Sequence, residues 1–84
     1  MQYVYLLKNE NGEFYCGCTS DLKKRILEHN RGEVFSTQGH HWKIMYYEAY
    51  SSERDAFLRE KQLKRYGQSL SHLKRRLKYS LNEN

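Results

Sequence analysis

The 84-residue sequence contains no proline and only two cysteines, and it has no long apolar run. Without about 18 consecutive apolar residues, the sequence predicts no membrane-spanning helix. Its first residues lack the basic and apolar regions of a signal peptide. Cys16 and Cys18 share one face of a predicted strand, where a disulfide between them would strain the backbone. We therefore expect reduced thiols and a cytoplasmic location.

The length and the charge distribution favour one small domain, spanning residues 1–84, with a basic second half. Folding of so short a chain buries only roughly 60–65% of the unfolded surface, which allows a shallow groove but no large sealed cavity. Residues 1–52 carry six Lys/Arg and six Asp/Glu, whereas residues 53–84 carry nine and four, which accounts for the whole net charge of +5. This asymmetry indicates a surface for a polyanion, or solvated helix faces.

Short aromatic and aliphatic segments predict three β-strands, over residues 2–8, 14–18 and 43–50. An Asn-Gly pair at residues 11–12 predicts a hairpin between the first two. Side chains alternate between the two faces of a strand. This places Tyr3, Tyr5 and Leu7 on one face of the first strand, and Tyr15 and Gly17 on one face of the second.

Capping residues and apolar periodicity predict three helices. The first covers residues 21–30, the second runs from the Ser52 region to about Tyr66, and a basic third helix covers residues 69–79. The order β-β-α-β-α-α predicts an α+β fold: a three-stranded antiparallel sheet flanked by helices.

Charged or titratable side chains interrupt the apolar stripes of the first two predicted helices. Arg25 and His29 flank the apolar residues of the first helix, and Glu60 lies among the apolar residues of the second. An unpaired buried carboxylate is costly, so Glu60 needs a cation, a hydrogen bond or a metal. Arg25 and Glu60 could instead form a structural ion pair, and His29 could be a structural histidine.

Zinc ligation is a weak alternative for the remaining metal-binding side chains. Cys16, Cys18, His40 and His41 could be drawn together as ligands. A Cys-x-Cys pair on a strand with adjacent histidines lacks the ligand spacing that zinc sites usually show. The sequence therefore predicts no zinc site.

Phosphodiester hydrolysis would make use of the polar residues that these elements present. An arginine fork stabilises charge on the phosphoryl oxygens. A divalent cation on a carboxylate serves both the phosphate and the leaving oxygen. A tyrosine hydroxyl accepts a proton from water only if its pKa, near 10 when unperturbed, is lowered by neighbouring positive charge.

The chain resembles the GIY-YIG nuclease superfamily over residues 2 to about 66. In particular, it is similar to small single-domain members that resemble the N-terminal nuclease domain of the nucleotide excision repair endonuclease. Five segments match in order and spacing, with Tyr3-Val4-Tyr5 replacing Gly-Ile-Tyr. The matching segments are Tyr3–Tyr5, Tyr15–Gly17, Thr19–Asn30 with Arg25, Tyr46–Glu48, and Arg59–Lys61 with Glu60.

This resemblance implies an endonuclease with a single Mg²⁺ or Mn²⁺, acting on nucleic acid that we expect to be DNA, as in DNA repair. Glu60 would hold the metal, and Arg25 would stabilise the phosphoryl charge. Tyr15 is the preferred base, with Tyr5 and His29 as alternatives. Further residues are expected to contact nucleic acid: Thr37, Lys61, Lys64, Lys74, Arg75, Arg76 and Lys78.

Two other functions stay open at this point. One is a catalytically silent nucleic-acid-binding module on the same scaffold, with a protein partner supplying specificity. The other is a structural interaction domain that presents Tyr46, Tyr47 and Tyr50 to a protein partner.

Overall fold

The α+β fold predicted from the sequence is present in the computed structural model, which describes residues 1–65 and 67–82. Three strands form one antiparallel sheet, and the order β-β-α-β-α-α is confirmed, with a short helix added at the end. The strands are β1 (Gln2–Asn9), β2 (Phe14–Thr19) and β3 (Trp42–Tyr50). The helices are α1 (Leu22–Asn30), α2 (Glu53–Arg65), α3 (Gly67–Arg76) and α4 (Lys78–Asn82), and a 3₁₀ turn covers Phe35–Thr37.

The central strand is β1, which pairs antiparallel with both neighbours in the order β2-β1-β3. In the β1–β2 register, Tyr5 lies opposite Gly17 and Leu7 lies opposite Tyr15. Directly opposed residues share a face of the sheet. The predicted alternation within each strand therefore brings Tyr5 and Tyr15 to the same face of the sheet. Within the sheet, the outer edge of β2 is unpaired.

Helices cover the two faces of the sheet unequally. Helix α1 packs Leu22 and Ile26 against a cluster made of Tyr5, Leu7 and Trp42. Helices α2, α3 and α4 cover the other face. The buried cluster on that face contains Val4, Leu6, Cys16, Ala56, Leu63, Leu73 and Leu81.

Local sequence explains where the first two helices begin. Asp21 caps α1, because its side chain accepts a hydrogen bond from the Lys24 backbone N–H at 3.1 Å. Helix α2 carries Glu53 and Asp55 in its first turn, where the helix dipole favours negative charge. Among the helices of the described residues, none is long and apolar enough to cross a membrane.

The basic helix predicted over residues 69–79 is in fact two helices, which meet at Leu77. The Leu77 N–H bonds both the Leu73 carbonyl at 3.1 Å and the Lys74 carbonyl at 3.2 Å. Such a shared bond tightens a helix end, and it ends α3 here. The turn directs Leu81 of α4 into the core, where it is 7% exposed. The predicted end of the second helix at Tyr66 lies outside the described residues.

Gly17 creates the space that the Tyr5 side chain occupies. A Cβ atom built on Gly17 would lie 2.2 Å from the Tyr5 hydroxyl and 2.3 Å from its ring carbon Cζ. The phenol therefore lies directly across the Gly17 backbone of the edge strand. Any larger residue at this position would force the ring or the strand to move.

We predict that Gly17→Ala destabilises the fold by about 1–3 kcal/mol, because the methyl group overpacks the sheet against Tyr5. Gly67→Ala is the matched control, since a Cβ atom there meets nothing within 4 Å. Urea unfolding of both variants measures the difference. Equal stability of the two variants would show that the Tyr5 ring moves aside without cost.

Candidate active site

A buried chain of hydrogen bonds runs from Tyr5 through His29 to Thr37. The Tyr5 hydroxyl lies 2.8 Å from His29 Nε2, and His29 Nδ1 lies 2.8 Å from Thr37 Oγ1. All three residues are at most 1% exposed. The chain thus joins the central strand, the last turn of α1 and the 3₁₀ turn.

The direction of these hydrogen bonds follows from the Thr37 hydroxyl. Thr37 Oγ1 donates to the Val34 carbonyl oxygen at 3.3 Å, so the same oxygen accepts from His29 Nδ1–H. A neutral imidazole carries only one N–H, and its other nitrogen is an acceptor. His29 Nε2 therefore accepts the hydroxyl proton of Tyr5.

Burial keeps both members of the Tyr5–His29 pair uncharged. Desolvation lowers the pKa of His29, and the nearby Arg25 guanidinium lowers it further. Desolvation also raises the pKa of Tyr5 to about 12, despite the opposing effect of Arg25. Near neutral pH the pair is thus a phenol bonded to a neutral imidazole.

Trp42 and Asn30 hold Thr37 in its buried position. The Trp42 indole N–H donates to the Thr37 carbonyl at 2.9 Å. Asn30 bonds both backbone groups of Trp42, through its Nδ2 at 3.0 Å and its Oδ1 at 2.7 Å. These contacts correct the expectation that Thr37 touches nucleic acid, because its hydroxyl is enclosed and already bonded to His29.

Tyr15 lies beside His29 at the edge of the sheet and is half-buried. Its ring packs edge-on against the imidazole, with 5.1 Å between the ring centroids. Within residues 1–65 and 67–82, the Tyr15 hydroxyl has no hydrogen-bond partner in the protein. Lys64 approaches the same ring, with Nζ 5.1 Å from its centroid.

Helix α2 brings Glu60 and Lys64 around the edge of β2. Lys64 Nζ lies 3.4 Å from Glu60 Oε2, one helical turn away. The Glu60 charge acts on the phenol of Tyr5 and on the thiols of Cys16 and Cys18, raising the pKa of all three as a contribution secondary to burial. Glu60 therefore acts electrostatically on Tyr5, although its helix covers the opposite face of the sheet.

Arg25 is the partly exposed cation of this cluster, and its side chain is 37% exposed. Its interaction with the Tyr5 hydroxyl raises its pKa, and so does its ion pair with Glu28 at 3.1 Å. In the described part of the chain, Arg25 pairs with Glu28 and Glu60 pairs with Lys64. The structural ion pair considered between Arg25 and Glu60 is not formed.

The residues around Glu60 suit a cation that is held by one carboxylate. Within the described ranges, no group of three or more His, Cys, Asp and Glu residues could form a protein cage for a metal. Mg²⁺ often uses only one or two carboxylates and takes its other ligands from water and phosphate. The Glu60 carboxylate is 24% exposed and its partner Lys64 is on a flexible side chain, so this donor fits that mode.

The basic residues predicted to bind nucleic acid occupy two different places. Lys64 belongs to the cluster around Tyr15, while Lys61 is exposed on α2. Lys74, Arg75 and Lys78 surround a hollow at the hairpin end of the sheet. Arg76 is exposed on α3. The tyrosine site and the basic helix thus lie on different faces of the sheet.

A second polar cluster anchors α2 to β3 and includes Tyr46 and Tyr50, which the sequence offered as part of a patch for a protein partner. Glu48 accepts hydrogen bonds from Arg59 Nε at 3.0 and 3.1 Å, from the Tyr46 hydroxyl at 2.8 Å, and from Tyr50. Burial alone would raise the pKa of Glu48, but these hydrogen bonds hold it below its usual value. Arg59 immediately precedes Glu60, so this anchor fixes the rotation of α2 that presents Glu60 to the β2 edge.

Comparison with known proteins gives a consistent result. Residues 1–74 match the GIY-YIG catalytic domain. A UPF0213 protein of Clostridium perfringens is 39% identical over 67 residues, which cover 77% of this chain and 72% of the relative. A UPF0213 protein of Bacillus pumilus is 33% identical over 64 residues, which cover 74% of this chain and 65% of that relative, just under two thirds of it.

A solved structure shares the fold. The solution NMR structure of a UPF0213 protein from Bacillus halodurans aligns with a TM-score of 0.53 and 28% sequence identity. The alignment covers 100% of both chains.

The buried neutral His29 predicts a loss of stability at mildly acidic pH. Its pKa is lower in the folded protein than the ordinary value near 6.5, so the unfolded chain binds more protons as the pH falls below that value. The free energy of unfolding should decrease between pH 7 and pH 5, by at most about 1.4 kcal/mol per pH unit for this one proton.

The His29→Gln variant should lose this component of the pH dependence, because glutamine does not titrate. His41→Gln is the control, since His41 is exposed. Urea unfolding at each pH measures both. The same pH slope in His29→Gln and in the wild type would contradict the proposed neutral histidine.

Proposed function

Because the chain belongs to the GIY-YIG catalytic-domain family, we propose that it hydrolyses phosphodiester bonds of nucleic acid, with DNA as the expected substrate. The observation that carries this proposal is the hydrogen bond from the buried Tyr5 hydroxyl to His29 Nε2. In this proposal the 84 residues act as one catalytic unit in the cytoplasm.

The Tyr5–His29 hydrogen bond supports a proton relay. A phenol with a pKa of about 12 is a poor base if it must first ionise. A hydroxyl that already donates to an acceptor avoids this requirement. Tyr5 accepts the proton of the attacking water while its own proton passes to His29 Nε2. Thr37 accepts from Nδ1–H throughout and supports the imidazolium that forms.

This relay selects Tyr5 as the base, in place of the Tyr15 that the sequence favours. In the described part of the chain the Tyr15 hydroxyl has no protein acceptor for a displaced proton. Its ring instead packs on His29 and forms the wall of the site, with 5.1 Å between centroids. We assign Tyr15 to positioning the attacking water from the solvent side.

Arg25 is the group that binds the scissile phosphate. Its guanidinium lies beside the Tyr5 hydroxyl and is partly exposed, so a phosphate bound to it brings the attacking water next to the relay. Charge-assisted hydrogen bonds from arginine to phosphate oxygens strengthen as negative charge develops in the transition state. The phosphate competes with Glu28, which holds Arg25 at 3.1 Å in its absence.

Glu60 is the residue that would hold a divalent cation, which we expect to be Mg²⁺ or Mn²⁺. When bound, such a cation neutralises charge on the phosphate and stabilises the leaving oxygen. The Glu60 carboxylate has to exchange its contact with Lys64 for the cation. Lys64, which lies 5.1 Å from the centroid of the Tyr15 ring, would then be available to contact the phosphate.

The Glu60–Lys64 ion pair also favours a second candidate function, a catalytically silent nucleic-acid-binding module. In that case the Lys64 ammonium permanently satisfies Glu60, and no cation binds. The same basic surface would still attract nucleic acid. The two functions differ in whether any nucleic acid is cut.

The relay predicts that Tyr5→Phe reduces single-turnover cleavage by about 10²–10⁴-fold, the usual contribution of a general base. Tyr15→Phe should cost less, and the control Tyr79→Phe, at a residue 71% exposed, should cost nothing. Glu60→Gln should abolish cleavage without weakening binding, because it removes a negative charge near the phosphate.

The measurement is nicking of plasmid, single-stranded and branched DNA with Mg²⁺ or Mn²⁺. A larger loss in Tyr15→Phe than in Tyr5→Phe would overturn the relay. Wild-type protein that binds these substrates and cuts none of them would establish the silent module instead.

A further inference from the structure

A hollow of about 440 Å³ lies at the hairpin end of the sheet, away from the tyrosine cluster. It is bounded by the end of β1, the start of β2 and helices α3 and α4. Most of its polar lining is cationic. The lining residues are Lys8, Gly12, Phe14, Lys74, Arg75, Lys78, Leu81 and Asn82.

Four cations surround this hollow without an acidic neighbour among the lining residues. In the part of the chain that the structure describes, Lys8, Lys74, Arg75 and Lys78 form no ion pair with a carboxylate. Like charges that share a small space repel each other, and a bound anion relieves this repulsion. The hollow therefore suits a phosphate group.

Two of the cations are held in place by the protein. Lys8 Nζ donates to the Leu81 carbonyl at 2.8 Å and lies 5.9 Å from the centroid of the Phe14 ring. Lys74 Nζ lies 4.3 Å from the same centroid. Cation–π contacts of this kind orient both ammonium groups. Part of the anion site is therefore arranged before a ligand binds.

The edge strand β2 contributes residues both to the hollow and to the proposed active site. Phe14 opens β2 beneath the hollow, and Gly17, three residues later, lies beneath the Tyr5 hydroxyl. At about 3.3 Å per residue these positions are about 10 Å apart along the strand. They face opposite sides of the sheet, which meet at this edge. A nucleic-acid strand that runs along the free edge of β2 thus passes both places.

We propose that this hollow binds a backbone phosphate of the nucleic acid other than the phosphodiester held by Arg25. The ligand class rests on the proposed function, but the binding does not require hydrolysis. The contact involves phosphate and not bases, because Phe14 is covered by two ammonium groups and its other side packs on the core. It is therefore independent of sequence.

Two triple variants that remove the same charge test this site. The first carries Lys74→Gln, Arg75→Gln and Lys78→Gln. The control carries three exposed substitutions outside the hollow: Lys23→Gln, Arg31→Gln and Arg54→Gln. Both are made in a Glu60→Gln background, so that binding is measured without cleavage. Because Lys74 packs on Phe14, the double variant Arg75→Gln, Lys78→Gln confirms the result in a core left unchanged.

Fluorescence anisotropy with a duplex and a single-stranded oligonucleotide gives the affinity over a range of salt concentrations. The hollow triple should weaken binding about 10-fold or more. For each phosphate that the variant no longer neutralises, the slope of log K against log[salt] should become shallower by about 0.9 with the duplex and about 0.7 with the single strand. The control should weaken binding several-fold less. Equal weakening in both variants would show that only the net charge matters and would overturn the site.

Inorganic pyrophosphate serves as the alternative ligand. We expect only weak competition from it, whereas displacement of the oligonucleotide by pyrophosphate at micromolar concentration would make the hollow a site for small anions and overturn the assignment.

Plasmid nicking with otherwise wild-type protein separates the two proposals. Absence of cleavage together with a selective effect of the hollow triple would reject hydrolysis and keep the phosphate site.

Discussion

The hydrogen bond between Tyr5 and His29 is the interaction on which the proposed site depends, because it places two polar side chains in the core without charge. Burying an unsatisfied hydroxyl or imidazole would be destabilising, so each needs a partner. Thr37 supplies the partner for the second ring nitrogen, at 2.8 Å. Gly17 leaves the space for the phenol, and Trp42 fixes the turn that carries Thr37. The same contacts that stabilise the core thus define a direction for proton transfer.

The free edge of β2 explains how groups from opposite faces of the sheet come together. Tyr5, His29 and Arg25 belong to the face covered by α1, whereas Glu60 and Lys64 belong to a helix on the other face. Lys64 reaches the Tyr15 ring because β2 has no outer neighbour within the sheet. An open edge is normally an aggregation risk. In this fold Lys64 approaches that edge beside Tyr15, and a cation there favours a polyanion over another strand.

Much of this arrangement could be predicted from the sequence, because it depends on local rules. Strand alternation groups Tyr5 with Leu7 on β1 and Tyr15 with Gly17 on β2, and the β1–β2 register brings the two groups to one face. The buried position of Thr37 could not be predicted, because it results from a 3₁₀ turn held by Trp42 and Asn30. The break at Leu77 divides a helical pattern that is continuous in the sequence. The Glu48–Arg59 anchor joins residues 11 apart that share no local signal.

The protonation state of His29 is the most direct test of this account. Long-range ¹H–¹⁵N correlation NMR on the ¹⁵N-labelled protein at pH 7 distinguishes the two neutral tautomers from the imidazolium. We predict a neutral ring with the proton on Nδ1 and an unprotonated Nε2 that accepts a hydrogen bond from Tyr5. The chemical shift of Nε2 should change in Tyr5→Phe, which removes this donor. A proton on Nε2, or a charged ring at this pH, would leave the Tyr5 proton without an acceptor and would contradict the relay.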